Sequence, residues 1–328
     1  MTDIEFLLFV PMLNPPLSLL SDDLLYYIVD HVAKLPSSNL DLYNLSITDR
    51  AFTRFCQAHI FKDLYLGYDH WRTPYCISKK LAKIRNILND EPSIANRVRT
   101  VHLALVNKEY RRLKRNHLLF NNPNFIPIIQ LLAKSPMPPH KLHLIGHARS
   151  YTIIEDPIFV VGWLMRSFFS QTLTVLDITK CRNVPLTLFL VCPNLREVYL
   201  DDVKVSESRD NEYPATQRSG CRKLPALERL NYRNSGSLVK KMITPPSKFS
   251  MAVVNWSKLR VLKLCPEEKE GMVYLQPILD AACNTLEELY LTSKQVTLCL
   301  DGKMRSFSSI RHEFNKFINK NNSVSLAS

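Results

Sequence analysis

The sequence predicts an α/β fold in which strands and helices alternate along most of the chain. Three observations lead to this prediction. A strand-like apolar triplet recurs from residue 61 to residue 291, helical periodicity fills several of the intervals, and residues 17–60 have helical periodicity alone. One strand with one helix cannot bury its apolar side by itself. Such units therefore have to stack on one another, and stacked units commonly bind a partner along one face.

The recurring triplet consists of apolar residues separated by two variable residues and then by one. Five copies are clear: Leu173-Leu176-Ile178, Leu195-Val198-Leu200, Leu227-Leu230-Tyr232, Leu259-Leu262-Leu264 and Leu286-Leu289-Leu291. Three weaker copies are Phe61-Leu64-Leu66, Val98-Val101-Leu103 and Pro139-Leu142-Leu144. This spacing resembles the strand of a leucine-rich repeat. Since successive copies are unevenly spaced, we expect an irregular leucine-rich-repeat-like solenoid over residues 67–318.

Helices are expected between the strands and at the end of the solenoid. The predicted connecting helices are 125–133, 158–170 and 273–283, whereas the polar stretch 201–223 predicts an exposed loop. Phe307, Ile310, Phe314 and Phe317 recur at helical spacing and predict a C-terminal capping helix. We expect residues 319–328 to be a disordered tail and residues 1–16 to be an N-terminal extension.

The segment after the first prolines predicts three short helices. Ser21 is a natural N-cap for the first helix, whose apolar stripe includes Leu24, Leu25 and Ile28, and Pro36 stops it. Residues 40–47 predict a second helix. Thr48 or Asp49 can cap a third, which carries Phe52, Phe55, Cys56 and Ile60 on one face.

Residues 17–66 resemble an F-box. That motif opens with Leu-Pro-x-Glu-Leu-Leu, and here Leu20, Leu24 and Leu25 match, with Asp23 in place of Glu and Ser21 in place of Pro. The Val-Cys-Arg of the last F-box helix reads Ile-Thr-Asp-Arg at residues 47–50. A looser resemblance, to fungal F-box proteins with degenerate leucine-rich repeats, lies in the helix of residues 76–90 and the Pro and Val-Arg that follow.

The resemblance implies a substrate-recognition subunit of an SCF-type cullin–RING ubiquitin ligase. The F-box would dock on a Skp-family adaptor, and the solenoid would hold the target protein. The chain would then promote the reaction only by holding the target near the ligase. It is therefore not expected to be an enzyme or to contain a catalytic residue. The residues assigned to the adaptor are Leu20, Leu24, Ile28, Leu45 and Phe52.

The target-binding residues are expected on the outward face of the strands. They are Arg196, Tyr199, Arg229, Arg260, Lys263 and Tyr290. Several are basic, which suggests an acidic or phosphorylated target. The alternative, from another class of function, is a stand-alone repeat scaffold that binds nucleic acid or an acidic protein partner.

Composition argues against several other kinds of functional site. The formal net charge is +13, spread along the chain, and the seven glycines are too dispersed for a phosphate-binding loop. The eight cysteines include no C-x-x-C pair, so zinc ribbons and thioredoxin-like redox motifs find no support. Because no secretory signal is seen, we expect reduced thiols and a cytoplasmic or nuclear location. We expect no membrane span, because no window approaches the ~20 apolar residues that a span requires.

Two clusters of residues could be either a functional site or an ordinary part of the protein surface. His140, His143 and His147 are expected to be surface histidines and not a metal site, and no cofactor is expected. The basic run Lys108–Arg115 is expected to be a solvated face, which makes nucleic acid an unlikely partner.

Overall fold

The structure is a computed structural model. It describes residues 20–35, 38–67, 74–105, 119–146, 152–154, 159–205, 223–244, 252–265, 275–292 and 297–301. The chain divides into two compact units, Met1–Asp63 and Leu64–Ser328.

The N-terminal unit contains three helices, α1 (Asp22–Val32), α2 (Ser38–Thr48) and α3 (Arg50–Ile60). The predicted caps of the first and third helices form. The Ser21 side chain accepts a hydrogen bond from the Leu24 amide at 3.4 Å, and the Asp49 side chain accepts one from the Ala51 amide at 2.8 Å. Each cap satisfies a backbone N–H that has no partner within its helix.

A small apolar core holds these three helices together. Leu25 and Val29 of α1 pack with Leu42 of α2 and with Phe52 and Cys56 of α3. Polar and aromatic contacts add to this core, since Asp22 forms an ion pair with Arg54, and the Tyr26 ring meets the Phe55 ring edge-on at 6.4 Å.

The second unit is built on a continuous sheet that alternates with helices. The sheet strands are β1 (Asp63–Gly67), β2 (Thr100–Ala104), β3 (Lys141–Ile145), β5 (Val175–Thr179), β7 (Glu197–Asp201), β8 (Arg229–Arg233), β9 (Val261–Cys265), β10 (Glu288–Thr292) and β11 (Thr297–Asp301). A separate parallel pair consists of β4 (Thr152–Ile153) and β6 (Cys181–Arg182). The helices are α4 (Pro74–Asp90), α5 (Phe125–Ala133), α6 (Thr187–Leu190), α7 (Gly236–Ile243), α8 (Gln276–Ala281), a π-helix (Phe159–Phe169) and 3-10 helices at Pro92–Arg97 and Leu119–Asn121.

The eight sheet strands from β1 to β10, which exclude β4 and β6, follow one another across the sheet in chain order, and a ninth strand, β11, joins the edge antiparallel to β10. The register is uniform, so that one set of equivalent residues aligns from strand to strand. Leu142, Leu176, Val198, Leu230 and Leu262 occupy one such position on successive strands.

The inner face of this sheet forms the core of the second unit. All five clear triplets are buried, and they share one apolar cluster with residues of α5, α7, α8 and the π-helix. The prediction that the triplets are strands is therefore confirmed, and the physical reason is burial of alternate side chains against the helices.

A recurrent turn follows three of the strands. Lys180, Asp202 and Asn234 come directly after β5, β7 and β8, and all three have positive φ angles, between 52° and 57°. Their amides donate to the next strand at distances between 2.7 and 3.2 Å. The left-handed residue thus ends each strand while its amide still extends the sheet hydrogen bonding.

The predicted architecture is wrong in its specific form. The structure has an eight-strand parallel sheet with helices, and not a clear three-helix F-box followed by an irregular leucine-rich-repeat-like solenoid with a C-terminal capping helix. The α/β class itself is compatible with this sheet. The apolar triplet specifies which residues of a strand are buried, but it does not specify how the connections are built. Those connections are a mixture of α-, π- and 3-10 helices of unequal length.

The individual helix predictions vary in accuracy. The helix predicted at 125–133 is confirmed as α5, the one at 158–170 is the π-helix, and the one at 273–283 is the shorter α8. The expected capping helix at 307–317, the tail 319–328 and the N-terminal extension 1–16 lie outside the described residues, as does most of the expected loop 201–223. Within the described ranges, no helix combines the length and the apolar character that a membrane span requires.

Candidate functional site

The outward face of the sheet carries a continuous row of polar and aromatic side chains. The central register position holds His102, His143, Asp177, Tyr199, Asn231, Lys263 and Tyr290 on successive strands from β2 to β10. We call these seven residues the outer row. Parallel strands in uniform register place equivalent side chains side by side, at the spacing of neighbouring strands.

The first part of the outer row is a histidine pair. His102 Nδ1 lies 3.2 Å from His143 Nδ1, so one ring donates to the other, and the Tyr65 ring stacks on His102 at 4.0 Å. His143 Nε2 lies 3.2 Å from Thr179 Oγ1 and 3.5 Å from Asp177 Oδ1. Both nitrogens of His143 therefore have polar neighbours.

Burial sets the protonation of this cluster. Desolvation lowers the pKa of His143 to about 4, and repulsion from His102 and Lys141 acts in the same direction. Desolvation also raises the pKa of Asp177 above its ordinary value. His143 is consequently neutral near pH 7, so its 3.5 Å contact with Asp177 is not an ion pair at that pH.

Tyr199 and Tyr290 of the outer row contact charged side chains. Tyr199 donates its hydroxyl to Glu197 at 2.7 Å, and burial together with this bond raises the pKa of Tyr199 to about 12. The Lys141 ammonium lies 5.9 Å from the centre of the Tyr199 ring, and that of Lys263 lies 4.1 Å from the centre of the Tyr290 ring. These contacts fix aromatic rings at defined places on the face.

The charges of this face balance. Outward side chains of β2 to β10 comprise four cations, Lys141, Arg229, Arg233 and Lys263, and four carboxylates, Asp177, Glu197, Asp201 and Glu288. The net charge of +13 therefore resides elsewhere in the chain.

Cross-strand ion pairs account for much of this balance. Arg233 donates to both carboxylate oxygens of Asp201 at 2.6 and 2.5 Å, and Arg229 lies 3.9 Å from Glu197. At the residues that precede the strands, Arg260 forms a two-bond pair with Glu287, and Arg196 lies 3.6 Å from Glu228.

The structure brings part of the predicted target set together. Tyr199, Lys263 and Tyr290 belong to the outer row, and Arg229 lies on the same face at the neighbouring register position. Arg196 and Arg260 instead precede β7 and β9, where glutamates pair with them. An acidic target would have to displace these carboxylates. The basic residue types alone therefore overstate the positive potential of the face.

Sequence reasoning missed the contribution of His102, Asp177 and Thr179. It identified His143 through the cluster with His140 and His147, but the true partner of His143 is 41 residues away along the chain. The signal that could have located this pair is the register of the triplets, because Leu103 and Leu144 both close a triplet and each follows a histidine. His147 lies outside the described residues, as does the basic run 108–115.

The N-terminal unit contains a second candidate surface. Large apolar side chains that are half or more exposed occur at i, i+3 spacing on α1 (Leu24, Tyr27) and at i, i+3, i+7 spacing on α2 (Leu40, Tyr43, Ile47), with exposures from 52% to 71%. We call these five residues the apolar stripes. Seven of the ten large exposed apolar side chains in the described part of the chain belong to this unit.

The predicted adaptor residues have different environments. Leu24 is exposed, whereas Leu20, Ile28 and Leu45 are half-buried against the core of the unit. Phe52 is only 3% exposed and packs in that core, so it cannot contact a partner while the unit is folded. The sequence spacing on α3 placed Phe52 on an apolar face, but that face points inward.

Among the described residues, no group of three or more His, Cys, Asp or Glu side chains could hold a metal ion. Burial also makes two of the described thiols unreactive, since it raises the pKa of Cys181 and of Cys192 to about 12.

Comparisons with known proteins add no relative. No protein-family model, no curated protein and no solved structure matches the chain.

Proposed function

We propose that this chain is a non-catalytic recognition subunit of a cullin–RING ubiquitin ligase. In this proposal the N-terminal helical unit binds a Skp-family adaptor, and the outward face of the sheet binds the target protein. The choice of adaptor follows the sequence resemblance of residues 17–66. The observation that carries the proposal is the pair of apolar stripes, because small units rarely expose so much apolar side chain unless a partner covers it.

The shape of the stripes supports a helical partner surface. Residues at i, i+3 and i+7 lie along one side of a helix, which is the spacing used when a helix docks in an apolar groove. Leu40, Tyr43 and Ile47 have this spacing on α2, on the side of the helix opposite to the buried Leu42. Two tyrosines and two leucines among the five residues suit an interface core.

The outer row supports a protein target over a nucleic acid. Nucleic-acid binding depends on cations that can neutralise phosphates, and its affinity falls steeply as salt displaces them. On this face the arginines are shared with carboxylates, while Tyr199 and Tyr290 supply aromatic contact area. Interfaces between proteins are enriched in tyrosine and arginine in this way.

The adaptor part of the proposal is tested by co-expression with the host Skp-family adaptor and size-exclusion chromatography. Wild-type chain is expected to co-elute with the adaptor as a one-to-one complex. Replacement of Leu24 and Tyr27 together by aspartate should abolish co-elution, because two charges would have to be buried in an apolar interface.

Two controls make this experiment decisive. Met137→Asp introduces one aspartate charge at an exposed apolar residue of the second unit, and it should leave co-elution unchanged. Hydrogen exchange of α1, α2 and α3 should show that Leu24→Asp with Tyr27→Asp remains folded. Co-elution that survives this double replacement, or a folded wild-type chain that elutes alone, would refute the proposal.

A further inference from the structure

The two histidines of the outer row bring two ring nitrogens close together. His102 and His143 are equivalent residues of the neighbouring strands β2 and β3, and their Nδ1 atoms lie 3.2 Å apart. Two nitrogen ligands of one tetrahedral zinc ion, each about 2.0–2.1 Å from the metal, are separated by about 3.4 Å. The distance between these two Nδ1 atoms is therefore close to the distance that a shared metal ion requires.

Hydrogen bonds beyond the pair determine which ring nitrogen of His143 carries the hydrogen. The Thr179 hydroxyl donates to the Asp177 carboxylate, a bond that acts to lower the pKa of Asp177. Because this hydroxyl has a single hydrogen, its oxygen can only accept from His143 Nε2, which lies 3.2 Å away. The hydrogen of His143 is thus on Nε2, and its Nδ1 has a lone pair that accepts from His102 Nδ1.

This tautomer is the one that binds a metal ion through Nδ1. Metal-binding histidines typically donate their second ring N–H to an outer acceptor, which orients the ring and makes it more basic. Thr179, backed by Asp177, is such an acceptor for His143. Burial also keeps the His143 ring neutral near pH 7, as a ligand must be. Of the nearby charges, Lys141 opposes a cation and Asp177 attracts one.

The pair supplies two ligands. In the described part of the chain, no third His, Cys, Asp or Glu side chain completes a group that could hold a metal ion. Structural and catalytic zinc sites have four and three protein ligands respectively, so two histidines leave two tetrahedral positions for other donors. Because His143 is partly exposed on the outward face, a donor from a bound protein can reach such a position.

We propose that the Nδ1 atoms of His102 and His143 bind a zinc ion, and that a carboxylate or imidazole side chain of the target protein completes the coordination. Imidazole nitrogen and carboxylate oxygen are both ordinary zinc ligands. On binding, the hydrogen of His102 Nδ1 moves to Nε2 of the same ring. Both rings then remain neutral, and the metal ion replaces the hydrogen between them.

This inference deepens the proposed function, because it names the chemistry by which the outer row would hold a target. It rests on that function only for the source of the additional ligand. The zinc test uses the full chain without adaptor or target. Failure to bind zinc and failure to co-elute with the adaptor are therefore observed separately.

The test is titration of zinc chloride into the full-length chain at pH 7, followed by calorimetry and by nitrogen NMR of the histidine rings. One zinc ion per chain is expected, and the Nδ1 signals of His102 and His143 should shift together. Asp177→Asn keeps both ligands and should weaken zinc binding about tenfold, because it removes the outer carboxylate. His143→Gln removes a ligand, so it should weaken binding further and abolish the shift of His102.

The matched control is His140→Gln, which removes an exposed histidine that precedes β3 and lies outside the outer row. It should leave the zinc affinity and both Nδ1 shifts unchanged. Equal losses in His140→Gln and His143→Gln, or a zinc-induced shift in only one ring of the pair, would overturn the inference and indicate adventitious binding to surface histidines. A folded wild-type chain that binds no zinc would overturn it as well.

The contribution of the target is tested with a random peptide pool on the immobilised full-length chain. Peptides retained in the presence of zinc should be enriched in histidine, aspartate or glutamate, and a chelator should release them. Retention that is equal with zinc and with chelator would show that the target does not complete the coordination.

Discussion

The histidine pair of the outer row makes the stability of the second unit depend on pH. His143 is 20% exposed in its side chain and is neutral in the folded state, with a pKa of about 4 against an ordinary value of 6.5. The unfolded chain therefore binds a proton at this residue between pH 6.5 and pH 4 that the folded chain does not bind. Stability contributed by neutral His143 is present above pH 6.5 and is lost as the pH falls.

The size of the effect follows from the two pKa values. At pH 5 the unfolded histidine is almost fully protonated and the folded one is almost neutral. This difference lowers the free energy of unfolding by about 2 kcal/mol relative to pH 8. The groups that face His143 are His102, Lys141, Thr179 and Asp177. Asp177 acts in the opposite direction, because its raised pKa makes its carboxyl favour the protonated, folded state in acid.

Urea unfolding followed by tryptophan fluorescence measures this dependence, since Trp163 and Trp256 both lie in the second unit. Wild type should lose about 2 kcal/mol more than His143→Gln between pH 8 and pH 5. Asp177→Asn is the companion variant that removes the opposing group. Identical slopes of stability against pH for wild type and His143→Gln would refute the assignment of a buried, neutral His143.

Three further predictions concern packing and surface charge. Phe52→Ala should destabilise the N-terminal unit by about 3–5 kcal/mol and speed hydrogen exchange of its helices. Leu24→Ala, at an exposed residue, should change stability by less than about 0.5 kcal/mol. Equal effects of the two substitutions would contradict the burial of Phe52. Gly146→Ala should lower the melting temperature because an added Cβ would clash with the Lys180 carbonyl oxygen, while Gly162→Ala, whose Cβ would meet no atom within 4 Å apart from its chain neighbours and its own helix backbone, should not. Arg260→Ala should leave the urea midpoint unchanged, since its ion pair with Glu287 is exposed, and a clear loss would show that this pair is stabilising.

The strands were predictable from the sequence because their burial has a local period. In each triplet the last two apolar residues are two positions apart and face the same side of a strand, and the first packs just before it. The caps of α1 and α3 were predictable for a similar reason, because the Ser21 hydroxyl and the Asp49 carboxylate each accept a hydrogen bond from a backbone amide of the same helical turn. Both depend on residues within about six positions of one another.

The architecture was not predictable from the same patterns. A triplet is compatible with any arrangement that buries one strand face, and the mixture of helix types between the strands depends on how each connection fits its neighbours. The sequence also did not determine which face of α3 packs against the interior. The spacing of Phe52, Phe55 and Cys56 defines an apolar face, but only the packing against Leu25 and Leu42 determines that Phe52 belongs to the interior.

The sequence by itself determined that the chain forms strands at the triplets, three short N-terminal helices of which the first and third are capped, and a face of alternating polar residues. The tertiary structure decided which polar residues meet. His102 and His143, or Arg260 and Glu287, are 41 and 27 residues apart along the chain, and only the parallel register places them side by side. It also decided the electrostatic character of the face, because an arginine attracts an anionic partner only when no carboxylate on the next strand already neutralises it.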